Sequence, residues 1–457
     1  MVFKALPGFR DFYPSELAER AHIFAAWREV ARRFGFEEYD GPPLEPLELY
    51  TAKSGDEIVG QLYAFEDKGG RAVALRPEMT PTFARMVAAR ANALPKPIRW
   101  YSIPQLFRYE RQQRGRLREH FQLNVDIVGE SDVSADAELL AVAIEIMREL
   151  GLRANDVRAR VSDRRLLQAV LHAIGVEDGQ TPAVFAVADK IGRESRENLE
   201  ERLRVAGLAD ATITELFEVL ALTDLGTLRE RFADAQQARE AVDRLASYFG
   251  YLHALGVGDF VQLDLTIVRG LAYYTGIVFE LFDAQGSMRA ICGGGRYDAL
   301  LSALGDVDLP ALGFGMGDVV LAELLRERRL LAGVSRGLDY WVAGADDDVP
   351  AARVMCVATE LRRRGLRTEY ALRPQKLGNQ LKAAGRAHAV KVCILQADGG
   401  ATVKRLDDGS ELSVDIDAFL DHAEALHDPV RHAHVVDPHD PWIFDDEEKA
   451  DPVTNHG

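Results

Sequence analysis

Apolar positions recur at three-to-four spacing through residues 17–35, "LAERAHIFAAWREVARRFG", and the run stops at a glycine, which predicts an amphipathic helix. The next stretch, "FEEYDGPPLEPLELY", carries three prolines, which favour an extended, edge-like segment over a helix. "AVALRPEMTPTFARMVAARANAL" reads as a strand that turns into a helix. "IRWYSIPQLFRYE" and "FQLNVDIVGE" have strand length and patterning, and the polar "RQQRGRLREH" joins them. An antiparallel pair with a long basic loop follows from that order. Residues 134–150 then predict a helix.

Residues 165–255 change character: Ala, Leu, Arg and Glu dominate and strand-like runs are few, so this stretch predicts a mainly helical insertion. Strand signals return in "DFVQLDLTIVRGLAYYTGIVFELFD", "MRAICGGGRYDALL" and "LPALGFGMGDVVLAELL". Beyond 335 comes a new alternation: strand "LDYWVAGA", helix 350–364, strand "RTEYAL", helix 374–387, strand "AVKVCILQ". This βαβαβ order predicts a small α/β domain with a parallel sheet. From about 425 the chain is rich in Pro, Asp and His with weak periodicity, which predicts a mobile tail. No internal repeat is found.

The chain has 457 residues, more than one hydrophobic core usually supports, so two or three domains are expected. No run approaches the roughly 20 apolar residues of a membrane span, and the first residues lack a signal-peptide pattern. Three scattered cysteines, Cys292, Cys356 and Cys393, provide neither a disulfide framework nor a zinc site. They read as buried thiols in a reducing cytoplasm. The histidines show no metal-ligand spacing, and no protein metal site is expected. The formal charge of −17 would argue against a nucleic-acid partner, but its distribution reverses that inference. Residues 435–457 hold seven acids against one lysine, whereas residues 353–405 hold twelve Lys and Arg against three acids. The second excess favours an RNA-contacting face over a merely solvated helix face.

Three clusters carry candidate chemistry. Arg108, Arg111, Arg114, Arg116 and Arg118 crowd a strand-loop-strand segment. Guanidinium forks suit phosphate oxygens, although a solvated basic loop has the same composition. Arg269 lies within the apolar "TIVRGLAYYTGIVFE" and there needs an anionic partner, either an internal acid such as Asp264 or a substrate. Glycines in "ICGGGRYDALL" and "LGFGMGD" allow close approach of a ligand to the backbone, without forming a dinucleotide or P-loop fingerprint.

Taken together, "LRPEMT" at 75–80, "FRYER…RGRLREHFQ" at 107–122, "VRGLAYYTGIVFE" at 268–280 and "GGGRYD" at 293–298 resemble the signatures of the histidyl-tRNA synthetase family, within the class II aminoacyl-tRNA synthetases. The resemblance runs in order from about residue 5 to 422. It implies an α+β fold: an antiparallel catalytic sheet flanked by helices, a helical insertion and a C-terminal α/β anticodon-binding domain. The implied boundaries are 1–165 and 256–334 for the catalytic domain, 166–255 for the insertion, 335–424 for the anticodon-binding domain and 425–457 for the acidic tail. It also implies a cytoplasmic homodimer, with Pro42 in the dimer-forming motif. Its ligands would be L-histidine, ATP with Mg²⁺, and tRNA(His), with no membrane association.

Carried over to this chain, the resemblance places Arg108 on the α-phosphate of ATP, Glu110 near the adenine and Arg116 on the terminal phosphates. Arg269 would sit at the reacting α-phosphate and the histidine carboxylate. Glu78, Thr80 and Gln122 would take the α-amino group. Asp126 and Tyr274 would read the imidazole, with Tyr273 and Tyr297 completing the pocket. A carboxylate and a phenol match the N–H donor and the acceptor of a neutral imidazole. Because such a pocket rejects analogues lacking those groups, no editing domain is expected. Two positions depart from the family pattern. Val320 stands where class II enzymes place the arginine of their third motif. The ring that stacks on adenine falls at His120 by strict count, with Phe121 beside it. A histidine-sensing relative without catalysis, the regulatory subunit of ATP phosphoribosyltransferase, is the alternative that Val320 favours. The intact 268–280 motif and the C-terminal domain oppose it.

Overall fold

The computed structural model describes residues 3–51, 59–111, 115–268, 274–286, 288–305, 307–331, 337–346 and 348–423. The tail from 424, and with it the expected acidic segment, lies outside the described residues. The chain divides into two compact units, residues 1–12 with 23–332 and residues 13–22 with 333–457.

The first unit is built on a large sheet. Its strands are β1 (Glu37–Glu38), β2 (Leu44–Pro46), β3 (Ala64–Glu66), β4 (Ala72–Leu75), β5 (Ile98–Ser102), β6 (Gln105–Phe107), β7 (Glu119–Val128), β8 (Val157–Asp163), β9 (Val261–Leu263), β10 (Ile277–Asp283), β11 (Cys292–Arg296) and β12 (Ala311–Gly317). The main order is β1-β5-β7-β12-β11-β10-β8-β9, with β6 also pairing β7, while β2-β4-β3 form a small separate sheet. Every main-sheet pairing is antiparallel except β1 with β5 and β8 with β9 at the edges. Antiparallel strands can leave one face open to a ligand, unlike a parallel sheet roofed by helices on both sides. The helix Val133–Glu149 packs against β7, β11 and β12 and buries eleven of its residues, and Asp132 caps it by accepting the Ser134 N–H at 2.8 Å. A core of Phe83, Val87, Ile98, Val128, Val278 and Leu301 lies against the same sheet.

Six described helices between Arg164 and Ala254 separate β8 from β9, and the last, Gln236–Ala254, packs on Val133–Glu149 and Arg164–Ala173. The proline-rich stretch is extended only briefly: after β2 the chain forms the short helix Leu47–Thr51, because all three prolines precede it. The strand expected through Val268 is absent. β9 ends at Leu263, Asp264 turns the chain by accepting the Thr266 N–H at 3.0 Å, and β10 starts only at Ile277.

In the second unit β13 (Tyr340–Gly344), β14 (Thr368–Tyr370) and β15 (Lys391–Leu395) are parallel, in the order β14-β13-β15. The helices Ala351–Arg363 and Leu377–Arg386 connect them and cover opposite faces, one core gathering Leu361 and Phe419, the other Leu377, Leu381 and Ala384. Two further strands, β16 (Ala401–Arg405) and β17 (Glu411–Val414), extend the sheet antiparallel, so it is mixed rather than wholly parallel. Their hairpin turns at Asp408–Gly409, where Gly409 has φ +75°. Cys292 and Cys393 are buried, but Cys356 is exposed on the outer face of its helix. No described helix is long and apolar enough to cross a membrane.

Candidate active site

Strand β7 alternates, so His120, Gln122, Asn124 and Asp126 share one face. That face lines a cavity of about 450 Å³. The neighbouring strand is stripped of side chains where they point: Gly313, Gly315 and Gly317 of β12 pair with Asp126, Asn124 and Gln122. A Cβ at Gly315 would come within 2.7 Å of Gln122 Nε2, and one at Gly313 would overlap the Asp126 carboxylate. The glycines of "LGFGMGD" therefore give polar side chains of β7 room to lie across the sheet.

At one end of the cavity the Tyr297 hydroxyl donates to Asp126 Oδ1, and both residues are buried. Burial pushes the Asp126 carboxyl up to about 7, while the hydrogen bond from Tyr297 pulls it down. Tyr297 is positioned by its predecessor. Arg296 is 4% exposed and holds Asp136 at 2.5 Å, Asp298 at 3.3 Å and the Glu130 carbonyl at 2.9 Å. The arginine of "GGGRYD" is thus a buried staple between β11 and the helix Val133–Glu149.

"LRPEMT" divides its labour in the same way. Arg76 is buried and donates to Asp40 at 2.7 Å, to the Gly41 carbonyl at 2.8 Å and to the Gln105 carbonyl at 3.0 Å. So fixed, the turn delivers Glu78 and Thr80 into the cavity, and the Pro77 carbonyl accepts from Arg108 Nε at 2.9 Å.

The other end is cationic. The buried Glu110 carboxylate pairs with Arg116 Nε and has Arg108 Nη1 4.0 Å away. His120 stands beside them, and burial, with the charges of Arg108 and Arg10, pushes its pKa down to about 3, so its ring is neutral. Val320 completes this wall. Two residues earlier, buried Asp318 accepts the Phe121 N–H and an Arg10 guanidinium proton, each at 2.9 Å, and Arg10 Nε reaches Glu119 at 2.6 Å.

One cavity therefore gathers ten of the expected residues: Glu78, Thr80, Arg108, Glu110, Arg116, His120, Gln122, Asp126, Tyr274 and Tyr297. Phe121 is not among them. Strand alternation turns its ring to the opposite face, where it meets Phe24 and Phe12 at centroid distances of 5.4 and 6.3 Å. Arg269, Tyr273 and Arg114 lie outside the described residues. Gln61, Asn124 and Glu280 also line the cavity and were not expected; the two-residue period that links His120 to Asp126 already contains Asn124. Chemically, the site offers a carboxylate–phenol pair at one end and guanidiniums that suit phosphate at the other.

In the second unit most of the twelve cations are engaged internally. Arg353 donates to the carbonyls of Gln396 and Gly399 at 2.5 Å, and Arg362 to that of Thr368 at 2.9 Å. Arg364, Lys404 and Arg405 pair with Glu360, Glu411 and Asp407 at 2.6–2.8 Å. Arg373, Lys376, Lys382 and Arg386 are exposed on and before the helix Leu377–Arg386 and form no ion pair among the described residues.

An antiparallel sheet carrying an arginine–carboxylate cavity, interrupted by a helical insertion and followed by a small α/β unit, is the α+β architecture of a class II aminoacyl-tRNA synthetase. Comparison with known proteins narrows the class. A family profile described as histidyl-tRNA synthetase matches residues 8–318. The histidine–tRNA ligase of Opitutus terrae is 44% identical over 402 residues, 87% of this chain and 91% of its own length. The chloroplastic/mitochondrial histidine–tRNA ligase of Arabidopsis thaliana is 40% identical over 89% of this chain and 84% of its own. Among solved structures, the histidyl-tRNA synthetase of Nostoc sp. PCC 7120 superposes with a TM-score of 0.81, covering 92% of this chain and 98% of that one, at 24% identity. The chain belongs to the histidyl-tRNA synthetase family.

Proposed function

We propose that this protein is a ligase that activates L-histidine with ATP and transfers it to the 3′ end of tRNA(His). The observation that carries the reading is the polarity of one cavity, with the buried Asp126–Tyr297 pair at one end and Arg108, Glu110 and Arg116 at the other. An imidazole at the first end and a triphosphate at the second would bring a histidine carboxylate to the α-phosphate. The carboxylate oxygen attacks the α-phosphorus, the α–β anhydride bond breaks, and pyrophosphate leaves with its electron pair. A terminal ribose hydroxyl of the tRNA then attacks the carbonyl carbon and releases AMP. No protein nucleophile is required, so catalysis is positioning and charge stabilisation.

In this reading Arg108 takes the α-phosphate, Glu110 the adenine edge and Arg116 the terminal phosphates. The flat, neutral ring of His120 is the stacking partner for adenine, because Phe121 faces away. Asp126 and Tyr274 read the imidazole with Tyr273 and Tyr297. Glu78, Thr80 and Gln122 take the amino group, and Arg269 takes the reacting oxygens. Mg²⁺ would be held chiefly by the phosphates: among the described residues no group of three His, Cys, Asp or Glu could cage a metal ion. The ion supplies countercharge to the triphosphate. Residues 335–424 are the anticodon-binding domain, residues 166–255 the insertion, and the assembly at work a cytoplasmic homodimer. Arg373, Lys376, Lys382 and Arg386 are the anticodon-binding domain's phosphate contacts, since they alone of the twelve cations at 353–405 form no ion pair or hydrogen bond among the described residues.

The test is amino-acid-dependent ATP–pyrophosphate exchange by the full chain. Exchange with histidine alone supports the ligase. Exchange with another amino acid, or none despite histidine binding, contradicts it, and the second result marks a histidine sensor.

A further inference from the structure

The cavity that ends at Asp126 runs at its cationic end into a second cleft of about 860 Å³, and the two share Arg116, Glu280, Ala290 and Val320. A ligand that starts at Asp126 and passes Arg108 therefore continues into this cleft. Three further arginines line it: Arg160 from β8, Arg193 from the turn after the helix Thr181–Ala188, and Arg289 from the segment before β11.

These arginines are not equivalent. Arg160 lies 3.6 Å from Asp264 and 4.7 Å from the centre of the Phe282 ring, and Arg193 lies 3.8 Å from Asp189. Arg289 has neither a hydrogen bond nor an ion pair among the described residues. Its surroundings are unfavourable to a cation: burial and the charge of Arg116 lower its pKa, Glu110 opposes them and Arg193 adds to them. A guanidinium stays protonated regardless, so Arg289 is the positive charge that lacks a carboxylate of its own, beside three arginines that each have one.

The position of Arg289 is as informative as its lack of a partner. Gly115, at φ +74° in the basic loop, has Val320 Cγ2 and Arg289 Cδ within 3.3 and 3.9 Å of where its Cβ would be. Arg289 thus lies beside Val320, at the point where the helix Asp318–Glu327 begins and presents no cation. Its neighbour Arg116 comes from the same loop as Gly115. A valine is short and uncharged, and both side chains line the same cleft.

We propose that Arg289, beside Arg116, binds the terminal phosphates of ATP and the departing pyrophosphate, supplying from the segment before β11 the charge that the helix carrying Val320 lacks. This deepens the ligase reading and rests on it. Guanidiniums next to one another are stabilised by a polyanion whose oxygens bridge them, and a pyrophosphate group has the charge and span to do so. As the α–β bond breaks, charge grows on the β-phosphate, and Arg289 and Arg116 stabilise it as it leaves. The residue acts on the leaving group, not on the histidine.

The test uses the full chain and titrates pyrophosphate in histidine-dependent exchange for the wild type, Arg289→Gln, Arg289→Lys and the double variant Arg289→Gln/Val320→Arg. Binding of a histidyl-sulfamoyl-adenosine, which mimics the adenylate but has no terminal phosphates, is measured in parallel. Arg289→Gln is expected to raise KM for pyrophosphate and for ATP by about tenfold or more, the value of a charge-assisted hydrogen bond. The lysine variant and the double variant recover part of that loss, and the analogue binds all four proteins within about twofold, since no contact to it changes. An unchanged pyrophosphate KM overturns the assignment. So does a parallel loss of analogue affinity, which would show a collapsed pocket, or an effect confined to transfer onto tRNA, which would place the tRNA end in the cleft. Wild-type protein with no histidine-dependent exchange overturns the ligase reading and this inference with it, and is recognised because it needs no substitution.

Discussion

The two ends of the cavity are built on opposite principles. At Asp126 everything is paired before a ligand arrives: Tyr297 donates to the carboxylate, Arg296 and Asp136 fix Tyr297 from behind, and glycines of β12 clear the space in front. At Arg116 and Arg289 the charges are only partly compensated and lie against a wide cleft. The difference teaches where discrimination and where affinity reside. A buried, pre-organised carboxylate recognises one side chain by its donors and acceptors, and a wrong side chain leaves it unpaired. Half-exposed guanidiniums bind any phosphate group and provide charge rather than choice.

The comparison breaks most sharply at Asp126. Asp126→Asn should lower histidine-dependent kcat/KM by about a thousandfold or more, mostly through KM for histidine, because the amide replaces an acceptor of the imidazole N–H with an unmatched group. Steady-state exchange kinetics measure it. A loss below tenfold would place discrimination elsewhere.

Next in size is the support behind Tyr297. Arg296→Met leaves Asp136 buried and uncompensated, and is expected to cost about 3–5 kcal/mol of stability in denaturant unfolding of the whole chain. The same change at Arg289, which is exposed and forms no ion pair among the described residues, should cost well under 1 kcal/mol while still impairing ATP binding. Equal costs would erase the contrast between the two ends.

The pH dependence of the free protein tests the same asymmetry. Burial holds the Asp126 pKa at about 7, above the unfolded value near 3.9, so the folded state retains this proton longer than the unfolded chain. The corresponding stabilisation is complete below pH ~4 and is lost as pH rises through 7, a change of about 4 kcal/mol. Unfolding measured from pH 4 to 8 should show a wild-type-minus-Asp126→Asn difference that moves in this direction. A flat difference contradicts the burial argument.

The smallest effect belongs to the second unit. Replacing Arg373, Lys376, Lys382 and Arg386 singly by Gln should each reduce the slope of log affinity for tRNA against log salt by about 0.7–0.9. Replacing Arg353, which is tied to two backbone carbonyls, should leave that slope unchanged.

Much of this architecture was legible in the chain. Alternation in "HFQLNVD" places His120, Gln122 and Asp126 on one face, and the glycine runs mark where the floor must be bare. What sequence patterning does not carry is register between distant strands. The meeting of Tyr297 with Asp126 and of Arg10 with Asp318, and the approach of Arg289 and Val320 to Gly115, depend on which residues β11, β12 and β7 set opposite one another. Alternation also separates His120 from Phe121, a choice that counting from the motif left open. Patterning does not predict the β16–β17 hairpin although "DDG" signals its turn, because its flanking strands are short and largely polar. Composition alone predicts a buried Cys356; its helix turns that position outward.

The division of labour within the cavity is tested most directly by two titrations on two variants. In histidine-dependent exchange, Asp126→Asn should raise KM for histidine and leave KM for pyrophosphate near the wild-type value, while Arg289→Gln should do the reverse. If both substitutions raise both constants together, the cavity has no separate ends and the account is wrong.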